Sequence, residues 1–183
     1  MTTTTGVRTF AIDPAHSNIG FSVRHLMISK VRGNFRAVTG SIQLPATGTT
    51  PLAITAEIEA ASIDTREPQR DGHLKSEDFL YAEKYPKLQF TSTKIEALDS
   101  TRLRVIGDLE IRGVKRSVTL DGELSGEGKD PYGNNRIAYE GKTRINRKDY
   151  GLNWNQALEA GGVVVGDEVE ITIEVEAIQQ AAG

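Results

Sequence analysis

The three histidines are the residues of this chain best suited to acid–base or metal chemistry. His16 follows an Asp13-Pro14 bend, His25 ends an alternating segment, and His73 lies in a charged stretch that does not alternate. Their spacing does not place two imidazoles on one helix face, and the sequence contains no Cys to complete a zinc site. We therefore predict no metal and no cofactor, and we expect His16 to form a hydrogen bond within its bend.

Nucleophilic catalysis has little support in the sequence. No Gly-x-Ser-x-Gly elbow occurs, and the absence of Cys excludes a thiolate nucleophile. The Gly-rich stretch 122–129 leads into a Pro-Tyr-Gly turn and not into a helix, so we interpret it as a hairpin loop that binds no phosphate. We predict no catalytic residue. The alternative is an enzyme acting on a lipid or acyl compound, with His73 or His16 as the general acid–base.

Two polar clusters, residues 70–73 and 145–151, have no evident use in plain connections between strands. In one interpretation their arginines pair with a neighbouring aspartate and fasten a loop to the sheet. In the other, the clusters surround the mouth of a cavity and contact the polar head of a ligand. Both interpretations stay open at this point. The candidate rim residues are Arg70, His73 and Arg147.

The elements that must position these residues are β-strands. Apolar residues recur at every second position in several segments, and residues 168–177 show the clearest alternation, with Val and Ile on one face and mostly Glu on the other. Antiparallel strands with one solvated face have this pattern. Turn signals, including Gly33-Asn34 and Arg112-Gly113, separate the segments. About eight strands result, which predicts an all-β antiparallel sandwich or barrel.

Residues 67–80 are the exception, because they do not alternate. Thr65 is a candidate N-cap, Pro68 lies early in the following turn, and Ser76 could cap a second turn. We predict one or two short helices here, ending before Tyr85-Pro86 because a residue before Pro avoids the helical region.

An eight-stranded sheet that closes into a barrel holds either packed side chains or one small ligand. The predicted inward positions mix bulky residues with small ones such as Ala56 and Gly107, which would leave space. The residues that we expect to line such a pore are Phe21, Val23, Phe35, Phe90, Leu109 and Ile111, with Phe79 closing it from the helical segment.

Length and charge set the broad class. The 183 residues fit a single domain, 1–183, and 22 basic against 25 acidic residues give a net charge of −3 without a basic cluster for nucleic acid. No apolar run is long enough to span a bilayer. Residues 1–6 contain neither a basic nor an apolar region of a secretory signal, so we expect a cytoplasmic protein.

Several blocks of sequence, in a fixed order, resemble the YceI-like family. The blocks cover nearly the whole chain and are residues 12–17, 21–25, 31–35, 63–65, 70–79, 85–86, 90, 107–114, 145–151 and 165–169. The resemblance implies an extended, lipocalin-like, eight-stranded antiparallel barrel with a helical segment packed near it. It also implies binding of long polyisoprenoid chains, such as those of isoprenoid quinones, and dimers in some members. It brings no catalytic residues.

The resulting hypothesis is a carrier, storage or sequestering protein for a polyisoprenoid or other long apolar ligand, whose tail lies inside the barrel. The enzyme is the second hypothesis. The third is a ligand-free interaction module whose core is filled and whose outer strands pair into a homodimer.

Overall fold

The computed structural model describes residues 6–159 and 161–182, so most of the N-terminal stretch used for the signal-peptide interpretation lies outside the described residues. Eleven strands, one α-helix and three short 3-10 helices make up the described chain. The strands are β1 Val7–Ile12, β2 Asn18–His25, β3 Ser29–Phe35, β4 Val38–Pro45, β5 Ala53–Glu59, β6 Ile63–Asp64, β7 Lys87–Ala97, β8 Arg102–Ile111, β9 Val114–Lys129, β10 Asn135–Asn146 and β11 Val165–Gln179. The helix, α1, is Pro68–Lys75, and the 3-10 helices are Pro14–His16, Ala60–Ser62 and Arg147–Tyr150.

The strands form one closed antiparallel barrel. Strand β11 pairs with β10 along one edge, and along its other edge with β2 and then β1. Strands β1 and β2 therefore act as one long strand with a bend, as do β3 with β4 and β5 with β6. Counting each bent pair once gives eight strands, which confirms the predicted lipocalin-like, eight-stranded antiparallel barrel.

The bend between β1 and β2 has a local cause. Pro14 begins a 3-10 turn, because its fixed φ suits the first helical position. The Asp13 side chain caps this turn by accepting a hydrogen bond from the Ala15 N–H at 3.0 Å. His16 Nδ1 lies 2.7 Å from Asp13 Oδ2, which confirms the hydrogen bond expected within this bend.

The two ends of the barrel differ in what covers them. At one end, called here the helical end, α1, the β2–β3 turn and the segment 147–164 come together. At the other, called here the loop end, the 46–52 loop and the turns 98–101 and 130–134 connect the strands. The residues considered for chemistry in the two polar clusters all lie at the helical end.

Helix α1 begins two residues later than Thr65 would place it. Its N-cap is Glu67, whose carboxylate accepts hydrogen bonds from the N–H groups of Gln69 and Arg70. The Thr65 prediction was wrong because that side chain is used elsewhere: its hydroxyl donates to Asp71 Oδ1 at 2.5 Å. After Ser76 the chain continues in hydrogen-bonded turns and not in a second helix.

Two turn predictions were also wrong. Gly33-Asn34 lies inside β3, and the reversal occurs at Leu26 and Met27, both of which have left-handed backbone angles. Gly33 is needed in the strand because a Cβ there would lie 2.5 Å from Cζ of Phe21. The Gly-rich stretch 122–129 belongs to β9, and its hairpin turn follows it at 130–134. Of the part of the chain that is described, no helix has the length and apolar character to cross a bilayer.

Candidate functional site

The barrel encloses an elongated cavity of about 410 Å³. Its lining is almost entirely apolar and comes from the inward residues of the strands. On β11 these residues are Val165, Val169, Ile171, Ile173 and Val175, which span roughly 30 Å of strand at the usual rise per residue. The volume lies within the range of ligand pockets, about 300–1,000 Å³. The alternation of apolar and polar residues in β11 thus places the apolar residues on the cavity face and the polar residues on the solvated face.

All ten residues named from the sequence as binding candidates lie on the wall of this cavity. The apolar members are Phe21, Val23, Phe35, Phe79, Phe90, Leu109 and Ile111, and the polar members are Arg70, His73 and Arg147. Their contact with a ligand stays a prediction.

Two phenylalanine rings of the wall lie over glycines of a neighbouring strand. Phe21 covers Gly33, and Phe90 covers Gly107, where a Cβ would come within 2.5 Å of Cζ of the ring. Gly107 therefore supports the position of Phe90 and does not itself line the cavity. Its enlargement would displace a ring of the wall, so the expectation that Gly107 offers free space was wrong. Ala56 does line the cavity.

An aromatic cluster lies at the helical end of the cavity. The His73 ring packs edge-on against Trp154, with centroids 4.7 Å apart, and against Phe79, with centroids 5.1 Å apart. Trp154 is the single Trp of the chain and follows the second polar cluster. His73 Nε2 also lies 2.9 Å from Asp78 Oδ2 near the surface. Helix α1 and the 147–164 segment together hold this imidazole at the cavity wall.

Arg147 lies beneath this cluster and is only 3% exposed. Burial lowers the pKa of its guanidinium, and Asp167, with Oδ1 3.7 Å from Nη2, opposes that shift. The guanidinium donates to four backbone carbonyls, those of Leu152 at 2.6 Å, Trp154 at 2.8 Å, Gly166 at 2.8 Å and Val165 at 3.3 Å. Arg147 therefore fastens a loop to the sheet, as in the first interpretation of the polar clusters, although its acceptors are carbonyls and not Asp149.

Arg70 also fastens its segment. Its Nε donates to Thr65 Oγ1 at 2.8 Å, and its Nη2 donates to the Thr65 carbonyl at 2.8 Å. Asp71 accepts from the Thr65 N–H at 2.8 Å. The two charged neighbours therefore hold Thr65 from both sides and do not pair with each other, so α1 is fixed against the end of β6.

Two tyrosines of the cavity wall are almost fully buried, and the sequence analysis did not single out either. Tyr139, near the loop end, donates its hydroxyl hydrogen to the Thr49 carbonyl at 2.5 Å. Tyr150, at the helical end, is 1% exposed, and its hydroxyl has no hydrogen-bond partner among the described residues. Burial raises the pKa of both hydroxyls, that of Tyr150 to about 12. The sequence feature that could have identified Tyr150 is its position within the polar cluster 145–151.

Outside the cavity wall, Asp13, His16 and Glu176 bring potential metal-ligating atoms within 4.8 Å of one another. Arg136 already supplies a cation there, because its Nη1 lies 3.0 Å from Asp13 Oδ2 and 2.9 Å from Glu176 Oε1. We interpret this group as an ion-pair network that fixes the bend between β1 and β2.

A closed eight-stranded antiparallel barrel around an elongated apolar cavity defines a barrel of the lipocalin-like class. A family model described as a YceI-like domain matches residues 10–177. A UPF0312 protein of Staphylococcus aureus (strain N315) is 37% identical over 168 residues, which cover 91% of this chain and 95% of that relative. The chain belongs to the YceI-like family.

Solved structures agree with this assignment. The Campylobacter jejuni YceI protein has a TM-score of 0.72 and 30% identity, covering 86% of this chain and 90% of that one. A second structure, described as a polyisoprenoid binding domain from Saccharophagus degradans implicated in plant cell wall breakdown, has a TM-score of 0.69 and 15% identity. It covers 93% of this chain and 98% of that one, and at this identity the likeness concerns the fold alone.

Proposed function

We propose that this protein binds a long-chain polyisoprenoid-type lipid, an isoprenoid quinone or a related molecule, with the tail inside the barrel. The observation that carries the proposal is the cavity itself, which is elongated, about 410 Å³ in volume and lined by apolar side chains. The description of a structural neighbour as a polyisoprenoid binding domain supports the same class of ligand. Such a protein would act as a carrier, a store or a sequestering agent.

The energetics favour recognition through the tail. Burying one methylene contributes about 0.8 kcal/mol, so a five-carbon isoprene unit contributes up to roughly 4 kcal/mol. A neutral hydrogen bond to the head contributes only about 1 kcal/mol net. Ordering a flexible tail offsets part of the gain. The length of the tail should therefore affect affinity more than the identity of the head.

Native mass spectrometry of the protein as isolated, followed by denaturation and extraction with organic solvent, tests the proposal. We expect a bound apolar molecule, and extracted protein should take up an isoprenoid quinone from a mixed lipid extract in preference to phospholipids. Protein that carries no apolar molecule and takes up no isoprenoid lipid under these conditions would contradict the proposal.

An enzyme acting on the bound lipid is the second candidate, because His73 lies on the cavity wall and contacts Asp78. His16 does not lie on that wall and is a poorer candidate. Incubation of the loaded protein followed by mass analysis of the ligand distinguishes the two functions. A chemically altered ligand, formed by the wild type and not by His73→Ala, would favour the enzyme, whereas recovery of unchanged ligand favours binding alone.

The ligand-free interaction module requires a filled interior, and a cavity of about 410 Å³ argues against this alternative. Dimer formation is compatible with lipid binding and is tested separately by light scattering with and without ligand.

A further inference from the structure

The β2–β3 turn exposes an unbroken run of apolar side chains at the helical end of the barrel. Leu26, Met27 and Ile28 follow one another there, and Met27 is 54% and Ile28 81% exposed. Single exposed apolar side chains are common on protein surfaces. A contiguous group at the tip of a hairpin is a candidate for contact with a partner or a membrane.

The loop end shows the more ordinary pattern. Leu52, Leu98 and Tyr132 are exposed there, but each lies on a different turn. Asp99 follows Leu98 directly, and Asp130 accepts a hydrogen bond from the Tyr132 N–H at 2.9 Å. A carboxylate beside an apolar side chain opposes its transfer into an apolar medium, because burying the charge is costly.

The backbone of the β2–β3 turn does not explain its apolar residues. The Ile28 N–H donates to the His25 carbonyl at 3.2 Å, and the two residues between them, Leu26 and Met27, have φ angles of 53° and 66°. Turns with two left-handed central residues favour Asn and Gly, because a Cβ strains this conformation. Leu and Met therefore add backbone strain to the exposure of their side chains, and the requirements of the turn would be met better by other residues.

Basic side chains flank the apolar tip. Residues 18–35 contain Arg24, Lys30 and Arg32 but no Asp or Glu, in a chain whose net charge is −3. Arg24 and Lys30 are exposed and lie directly opposite each other on the two strands, an arrangement that like-charge repulsion destabilises. Of the three, only Lys30 has an ion-pair partner within the described ranges, Glu170 at 3.3 Å. The hairpin thus presents positive charge beside an apolar tip.

Acidic groups on the neighbouring end of β11 have cations of their own. Asp167 Oδ2 lies 3.3 Å from Lys148 Nζ, and Glu168 Oε1 lies 3.7 Å from Arg144 Nη1. Both cations lie outside the hairpin, so these carboxylates are already paired without Arg24 or Arg32.

The tip of the hairpin adjoins the cavity. The Leu26 N–H donates to the Val164 carbonyl at 2.9 Å, and Val164 lines the cavity. Val23 and Val31, which face each other just behind the turn, also line it. A lipid at the tip would therefore meet the cavity wall within a few residues of the turn.

We propose that the apolar tip, residues 26–28, inserts into the surface of an anionic phospholipid bilayer and brings the helical end of the cavity against it. Arg24 and Arg32 would attract the lipid phosphates while the tip enters the boundary of the acyl chains, as in other interfacial anchors. The purpose of this contact, transfer of lipid between the bilayer and the cavity, rests on the proposed function. The contact itself does not depend on which lipid the cavity holds.

Co-sedimentation of lipid-extracted protein with vesicles tests the contact. One set of vesicles is phosphatidylcholine alone, and the other contains equal parts of phosphatidylcholine and phosphatidylglycerol. The tip variant is Met27→Ser/Ile28→Ser, and its matched control is Leu52→Ser/Tyr132→Ser at the loop end, where the side chains are equally exposed. Thermal melts check that both variants fold as the wild type does.

We expect the wild type to bind the anionic vesicles more tightly than the neutral ones, and salt to weaken this binding. The tip variant should bind about 10-fold more weakly to both kinds of vesicle, because apolar side chains no longer leave water. The loop-end control should bind as the wild type does.

The charged flank is tested with Arg24→Gln/Arg32→Gln. We expect its affinity for the anionic vesicles to fall about 10-fold or more and its affinity for the neutral vesicles to stay the same. The control for net charge is Lys129→Gln/Lys142→Gln, which removes two exposed cations outside the hairpin and should have little effect.

A wild type that binds neither kind of vesicle, or a tip variant that binds as well as the loop-end control, overturns the inference. Light scattering that shows a wild-type dimer and a monomeric tip variant also overturns it, because a second copy then covers the tip. The proposed function is measured separately, as binding of a short-tailed ubiquinone delivered from cyclodextrin without vesicles. The tip variant should keep that binding, whereas its loss in the wild type would contradict the proposed function and leave the membrane contact standing.

Discussion

Arg147 is a structural residue whose cationic side chain connects the 147–164 segment to the start of β11. Replacing it with Met would leave buried carbonyls without donors, so we expect the free energy of unfolding to fall by about 3 kcal/mol. Lys at this position would retain only part of the stability, because an ammonium cannot reproduce the planar arrangement of donors of a guanidinium. Urea denaturation measures the difference.

The matched control is Arg144→Met on β10, the strand that ends just before the 3-10 helix containing Arg147. Arg144 is exposed and lies 3.5 Å or more from Glu168 and Glu170, so its removal should change the unfolding free energy little. Equal effects of the two substitutions would show that the carbonyl contacts of Arg147 do not stabilise the fold.

The network around Arg136 predicts a pH dependence of stability. The Arg136 guanidinium, 2.8 Å from Asp130 Oδ2, holds the pKa of that carboxyl well below its usual 3.8, and hydrogen bonds from His16 and Arg136 lower the pKa of Asp13. A carboxyl with a depressed pKa in the folded state stabilises it above the unfolded pKa and loses that effect as the pH falls.

We therefore expect the thermal midpoint to fall progressively below about pH 4, and Arg136→Gln to reduce that fall. Arg104→Gln, which removes a more distant pair with Glu96 at 3.8 Å, serves as the control and should leave the profile nearly unchanged. An Arg136→Gln profile that runs parallel to that of the wild type would count against the network.

At the scale of elements, the turn between β8 and β9 illustrates how a hairpin supports the cavity. Arg112 and Gly113 both have left-handed backbone angles, the combination that a tight two-residue hairpin turn requires. From this turn, Arg112 Nη1 donates to the Phe79 carbonyl at 2.6 Å and also to that of Glu77. The hairpin thereby holds the Phe79 segment against the barrel.

We expect Gly113→Ala to lower the free energy of unfolding by about 1–2 kcal/mol, because the left-handed conformation disfavours a Cβ and that atom would lie 2.7 Å from Cε1 of Tyr85. Gly126→Ala on β9 is the control, since no heavy atom lies within 4 Å of its added Cβ. Differential scanning calorimetry of both variants checks the prediction, which fails if Gly113→Ala is as stable as Gly126→Ala.

For the molecule as a whole, the central quantity is the empty volume along the barrel axis. Gly141 lines the cavity, and a Cβ there would make ordinary contacts of 3.7 Å with Ile173. Gly141→Leu and Ala56→Leu should therefore fill the interior without displacing the wall. We expect the amount of lipid that co-purifies to fall several-fold, measured by native mass spectrometry, while the ligand-free protein melts no earlier than the wild type.

Thr91→Leu is the matched control, because it adds a leucine of the same size on the exposed outer face of β7. It should leave lipid occupancy unchanged. Loss of lipid in the outward variant, or full occupancy in both inward variants, would show that the ligand binds outside the barrel.

The sequence by itself determined the class of fold and the orientation of most strands. The alternation in β11 and β8 separates inward from outward residues because side chains of a strand point to opposite faces. That rule also places Phe21, Phe90 and Leu109 on the wall. Local turn chemistry was less reliable, as Gly33 shows: a glycine can make room for a ring across the sheet instead of reversing the chain.

Only the tertiary structure decided which polar groups are already engaged. Arg147 donates to the carbonyl of Gly166 across an intervening loop, whereas the hydroxyl of Tyr150 has no hydrogen-bond partner in the described part of the chain, although both residues belong to one short cluster. The residue pattern also could not predict the empty space across the barrel. Periodicity gives the direction in which a side chain points and not the distance to the side chains opposite it. Hydrogen-bond satisfaction and empty volume both depend on segments brought together by folding, and they appear only when the barrel has closed.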